Sequence, residues 1–338
     1  MKNLFLICVA FVTISCAPHT PVPFVEDPDL APPEVVSIDL LDATTLTVTF
    51  NEPVGSLGPE ILGSEALGAI AGTLIAENRA SFTFEHAADP GAESYVEAEV
   101  EDLSGNHLRF VGRFFGLNEN LPALVLNEIT TQGSGNHPDL VEILVTSGGD
   151  MAGISVYEGV PENWEQRLIF PSLRVATGDF VVVHFRPDGS DAEVDEVEDM
   201  TASGGKNATA TAWDFWVPEG SGLSANNGVI AITKNPMGGY LDAFVYSNRT
   251  SDSDERYRGF GSSKVMERAD IIAAAGEWIY AGEAIAPEDA VDPEDSTATR
   301  SMSRGSDSAD ANSSDDWHIT PTSGLSPGAV NTDEVYQP

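Results

Sequence analysis

Residues 32–54 read PPEVVSIDLLDATTLTVTFNEPV. Within this stretch Val35-Val36-Ser37-Ile38-Asp39-Leu40 and Thr45-Leu46-Thr47-Val48-Thr49-Phe50 alternate with period two and are rich in β-branched residues. That is the pattern of half-buried strands. Asn51-Glu52-Pro53 ends the second run. Further along, Ala80 to Phe84, Tyr95 to Val100 and Leu108 to Phe115 read as strands of the same kind. Between the last two lies Asp102-Leu103-Ser104-Gly105-Asn106, a tight turn whose Asp and Asn can bond local backbone. Short strands with turns at close spacing predict a small β-sandwich.

The pattern resumes after Gly116-Leu117-Asn118-Glu119-Asn120-Leu121-Pro122, a polar boundary that few contacts are expected to cross. Leu124 to Ile129, Asp139 to Val145 and Met151 to Tyr157 read as strands. Asp179 to Phe185 is continuously apolar at its centre and predicts a fully buried strand. Gly228 to Thr233 and Leu241 to Tyr246 predict a hairpin turning at Met237 to Tyr240. The acid-rich stretches 186–206 and 247–300 are expected on loops. The predicted fold class is all-β, with two immunoglobulin-like β-sandwich domains in tandem.

The chain has 338 residues and a formal net charge of -38. Its 41% hydrophobic residues supply real cores, so it is not a disordered acidic chain. So few cations exclude most nucleic-acid binding, which depends on neutralising phosphates. They also oppose docking onto anionic lipid. Met1-Lys2-Asn3 followed by the uncharged run Leu4 to Ile14 fits an export signal, too short to span a membrane. Thr13-Ile14-Ser15-Cys16-Ala17 resembles a bacterial lipobox, with Thr13 in place of the usual Leu. The resemblance implies lipidation of Cys16. The other cysteine, Cys8, would leave with the signal, so no internal disulfide can form. The Pro-rich stretch that follows reads as a stiff tether.

Two further resemblances concern the body of the chain. The stretch PPEVVSIDLLDATTLTVTFNEPV, with VEDLSGNHL at residues 100–108, is similar to bacterial immunoglobulin-like domains of cell-surface proteins. Leu126-Asn127-Glu128-Ile129, Asp139-Leu140-Val141-Glu142-Ile143, Leu241-Asp242-Ala243-Phe244-Val245-Tyr246, Arg300-Ser301-Met302-Ser303-Arg304, Asp315-Asp316-Trp317 and the segment Pro321 to Asn331 resemble lamin tail domains. The SGLS at 323–326 breaks that family's usual Pro-Thr-Pro-Gly phrase. Together these imply a signal peptide over 1–15, a Pro-rich tether over 16–32, a bacterial immunoglobulin-like domain over 33–117 and a lamin tail domain with acidic insertions over 118–338.

No catalytic set is recognisable. The six His lie outside metal-binding spacing, and nucleophile-elbow and phosphate-loop phrases are absent from the sequence. His184, within an apolar strand, is expected to be a hydrogen-bonded core or edge residue rather than a ligand. Glu128 and Glu142 are expected to bond loop backbone near strand ends. Two acidic runs offer oxygens for calcium: Asp188, Asp191 and Asp195 in one, Asp310 and Asp315 in the other. The cofactor expectation is therefore none, or calcium. Trp213, Phe215 and Trp216 cluster within one short run and offer a binding platform if exposed. The expected function is a non-enzymatic lipoprotein of the bacterial cell envelope, at the outer membrane or cell surface. It would bind or scaffold an envelope protein or glycan and meet the membrane through the lipid on Cys16. Its rivals are a glycan-binding adhesin and a carboxylate-dependent hydrolase, the latter requiring two carboxyl groups in one pocket.

Overall fold

The structure is a computed structural model that describes residues 29–338. The predicted signal peptide, Cys16 and most of the tether lie outside the described residues. The chain is all-β, built as two sandwiches.

The first sandwich is made of β1 (Val35–Leu40), β2 (Thr45–Phe50), β3 (Val54–Leu57), β4 (Leu62–Gly63), β5 (Ile70–Ala76), β6 (Arg79–Phe84), β7 (Glu93–Asp102) and β8 (His107–Phe115). One sheet has the order β1-β2-β6-β5. In the other, β7 pairs with β3, β4 and β8. Period-two alternation decides which side chains fill the space between them. Leu46, Val48 and Phe50 meet Phe82, Phe84, Val96, Ala98 and Val100 in one apolar core. Asp102 closes the β7–β8 turn, as expected. Its Oδ1 accepts the N–H groups of Ser104 and Asn106, and its Oδ2 accepts the Asn106 amide.

The second sandwich contains β9 (Ala123–Thr130), β10 (Leu140–Ser147), β11 (Gly149–Asp150), β12 (Ser155–Val160), β13 (Asn163–Ile169), β14 (Arg174–Val175), β15 (Phe180–His184), β16 (Trp213–Trp216), β17 (Asn227–Asn235), β18 (Gly238–Ser247), β19 (Met302–Arg304) and β20 (Trp317–Ile319). A six-stranded sheet, β16-β15-β10-β9-β19-β20, faces a four-stranded one, β13-β12-β17-β18. Leu126, Val141, Ile143, Val181, Val183 and Phe215 of the first pack against Val156, Ile230, Ile232 and Phe244 of the second. The β17–β18 hairpin turns at Pro236-Met237, with Asn235 opposite Gly238, earlier than the sequence suggested.

One expectation needs correction. The stretch 247–300 is not all loop, because Ser263–Ala275 forms an α-helix, α1. Ser262 caps its first turn through Val265 N–H, and Gly276 ends it in the left-handed region. Ile272 and Ala269 anchor α1 on the core. The contacts at the joint between the sandwiches are few and local. The Asn118 amide donates to the carbonyls of Asp150 and Ala152 at 2.6 and 3.0 Å. Gly91 and Gly153, both at positive φ, touch backbone to backbone. A Cβ on Gly91 would lie 2.4 Å from Gly153 N.

Candidate functional site

The densest polar chemistry lies on the outer face of the six-stranded sheet. It begins with an irregularity in β9. Glu142 of β10 opposes Glu128, and the next residue, Ile143, opposes Leu126, so Asn127 is an extra residue in the ladder. A bulge of this kind re-aims side chains. Both Asn127 and Glu128 are buried, and so is Glu142.

Each acid is met by donors from the far end of the chain. Glu128 accepts the Ser301 hydroxyl and, through Oε2, the Ser326 N–H at 2.9 Å. Glu142 accepts the Gly328 N–H at 2.6 Å and the Asn127 amide at 2.8 Å. Asn331 then donates to the Asn127 carbonyl at 3.0 Å. The segment from Ser326 to Asn331 is thereby strapped across the sheet. Leu325 adds apolar contact with the patch of Leu140, Val182 and Ala212. The expected role of Glu128 and Glu142, bonding loop backbone, is what the geometry displays.

Burial pushes the Glu128 carboxyl up to about 7. Burial, with the charge of Glu128 beside it, holds Glu142 well above the usual carboxylate range. Two like carboxyls this close cannot both ionise cheaply, so the pair keeps a proton near neutral pH.

A second buried group surrounds Arg304, which is fully buried on β19. Its Nε donates to the Leu126 carbonyl at 2.7 Å and its Nη1 to the Ala309 carbonyl at 2.7 Å. Asp242, Asp310 and Asp316 lie 3.5, 3.0 and 3.3 Å from its guanidinium, and Trp317 stacks beneath it. Asp242 in turn accepts the Leu126 N–H at 2.6 Å, and burial raises its carboxyl to about 7. The cation within the acidic run 307–316 is thus Arg304 itself. Asp310 is held by it, and Asp315 points to solvent, so the two do not form the predicted calcium site.

The other predicted calcium run is likewise internally occupied. Asp188 pairs with Lys206, Asp195 accepts the Trp216 N–H, and Asp191 is exposed. Among the described residues, three carboxylates do meet within 4.8 Å, but they are Asp29, Glu52 and Asp102 of the first sandwich. Their spacing along the chain gave no signal for that meeting.

The predicted aromatic platform is covered. Phe215 lies in the core with its ring edge-on to Phe170 at 5.0 Å. Trp216 stacks on His184 at 3.9 Å beneath the 188–207 loop, where Ser203 accepts its indole N–H. Trp213 is half-buried beside Asp179. Alternation does send 213 and 215 one way and 216 the other, but both faces of the sheet are covered. His184 is a buried core residue, as expected, with Nε2 2.7 Å from Asp214. The exposed tryptophan is Trp164, on the β13 edge, with Arg167 stacked on it at 4.6 Å.

The fold and this polar face define a class: all-β sandwich proteins whose second sandwich is closed by a carboxylate-held C-terminal strap. Residues 122–319 match a family described as a protein second domain; the match exceeds half of the chain, and the chain belongs to that family. It is also similar to a protein of Treponema pallidum (strain Nichols) that bears the name uncharacterized protein. The two are 28% identical over 158 residues, which is 47% of this chain and 40% of the relative.

Proposed function

We infer that this protein is a lipid-anchored, non-enzymatic envelope lipoprotein that binds or scaffolds through its two sandwiches, the second being a lamin tail domain. The observation that supports this best is the use made of the acids. Glu128 and Glu142, the pair most like a catalytic acid and base, are buried side by side, and every oxygen of both accepts a bond from the chain. An acid–base pair must reach a substrate, and both carboxyls are buried away from solvent. The lipid reading rests on Cys16 and the apolar run before it. Among the described residues no helix is long and apolar enough to cross a membrane. The test is fractionation of intact cells. The natural protein is expected in the detergent phase and Cys16→Ser in the aqueous phase or unprocessed. Retention of the variant on salt-washed membranes would remove the anchor from this reading.

A second reading, glycan binding, is favoured by one observation, the exposed Trp164 with its stacked Arg167. It moves the binding surface from Trp213–Trp216 to the β13 edge. Trp164→Ala should then lose retention on envelope polysaccharide while keeping its fold; unchanged retention discards it.

A further inference from the structure

A sheet edge offers a row of unpaired N–H and C=O groups to any extended chain, and proteins normally blunt it with charge, Pro, short length or cover. Most edges here are blunted. β1 carries Asp39, β8 carries His107, Arg109 and Arg113, and β13 carries Glu165 and Arg167. β16 lies under the 188–207 loop, bonded through Asp195 and Glu196. β18 is bridged at Tyr246 by Val291, β3 sits between Pro53 and Pro59, and β20 has three residues.

β5 is different. Its ladder runs to β6 on one side. Among the described residues, the backbone of 71–76 makes no hydrogen bond beyond that ladder. From Ala66 to Ala76 the sequence ALGAIAGTLIA contains no charge and no Pro, in a chain of net charge -38. Ile70 and Ile75 reach into the core, while Leu74 stands 64% exposed on the outer face. Among the described residues the edge is blunted by a bulge between Ile70 and Gly72 and, just past its far end, by β3, whose Val54 N–H donates to the Glu77 carbonyl at 3.0 Å; Thr73 to Ala76 stay in regular register.

The charges that frame this edge decide its occupant. Exposed Glu65 precedes it, exposed Glu77 follows it, and exposed Glu85 lies beside its start, accepting the Ala69 N–H. A second copy, paired antiparallel about a two-fold axis, would set Glu77 of one chain toward Glu65 of the other, with a net charge of -38 on each side. That is repulsive.

We propose that the free edge of β5 is a strand-addition site for an extended segment of a partner protein, uncharged and β-prone at its centre and carrying Lys or Arg at both ends. Main-chain bonds to 71–76 would supply affinity, Leu74 an apolar contact, and the flanking carboxylates the choice of partner.

The experiment uses the full-length protein in detergent and a short synthetic peptide of alternating Thr and Val flanked by Lys. Amide exchange of residues 71–76 should slow about tenfold on adding it. A peptide of the same centre flanked by Glu should produce no slowing. Leu74→Lys, which puts a charge on the exposed outer face, should abolish the effect with an unchanged β-type circular dichroism. If that variant loses its fold, Thr73→Lys takes its place. No slowing with the Lys peptide, or equal slowing with both peptides, overturns the proposal. Protection that appears without peptide and grows with protein concentration also overturns it, in favour of a second copy.

Discussion

The two sandwiches solve the same problem with different materials. In the first, apolar side chains from both sheets fill the core, and the buried polar residues are few: Thr47, Ser94 and Asp102. In the second, an apolar core of the same kind is joined by buried ionisable groups, Glu128, Glu142, His184 and Asp214 on the outer face of the six-stranded sheet and Asp242 with Arg304 between the sheets. Apolar packing is non-directional and tolerates sliding. A buried carboxylate is costly unless its donors arrive at the right places. The second sandwich is therefore specified by where the chain's late segments must land, and the first by its alternation alone.

The sharpest way to break this contrast is to remove one partner of a buried charge. Arg304→Ala leaves Asp242 without its cation and should destabilise the second sandwich by about 3–5 kcal/mol. Calorimetry should show that transition fall while the one assigned to the first sandwich stays. If both fall together, the sandwiches melt as one unit and the contrast is only local.

Next comes pH. Glu128 and Asp242 stand at about 7 in the folded chain, against ordinary values of 4.5 and 3.8, with burial the main cause for each. Glu142 is raised as well. A raised carboxyl means the folded state holds protons that the unfolded state has released. The associated stability is full below the ordinary values and is lost as pH rises through about 7. Stability should therefore be greater at pH 5 than at pH 7.5, by on the order of 2 kcal/mol for each of Glu128 and Asp242. Chemical denaturation at the two pH values checks this, and Glu142→Gln should flatten the slope. A second sandwich more stable at pH 7.5 would contradict the burial of these acids.

A smaller effect concerns the joint. Gly153→Ala places a methyl group against Gly91 and also strains a position at φ +81. The expected cost is about 1–2 kcal/mol. Small-angle scattering should show a larger radius of gyration as the contact opens. An unchanged profile would mean that the Gly91–Gly153 contact does not fix the joint.

The smallest expected effect is that of calcium. Because Asp310 and Asp188 are already paired with Arg304 and Lys206, calcium and magnesium at equal ionic strength should raise the melting temperature equally. A calcium-specific shift abolished by Asp310→Asn would restore the site that the geometry denies.

The sequence made the strands of both sandwiches legible wherever alternation was clean, as at β1, β2, β7 and β17. β5 escaped notice because Ala and Gly carry little alternation signal. α1 escaped because its short apolar face is set among acid-rich stretches. Glu128 and Glu142 were legible as groups bonding loop backbone. Their placement opposite one another was not, because it depends on the register beside the extra residue Asn127. The aromatic run and the acidic runs misled for one shared reason: local composition does not tell what a distant segment brings to cover it. The 188–207 loop covers Trp216, and Arg304 arrives within the aspartates.

The strap also imposes an order in time. Ser326 lies 198 residues after the Glu128 it serves, and Gly328 lies 186 after Glu142. Until the stretch from Ser326 to Gly328 has been synthesised, the two acids have no backbone donors, and a sandwich that closed around them would enclose unmet charge. Contacts of such long range form late in folding. A chain shortened by a few dozen residues at its C-terminus would thus retain nearly every strand yet be unable to complete its fold. The strap thus acts as a check that the late segments of the second sandwich are present.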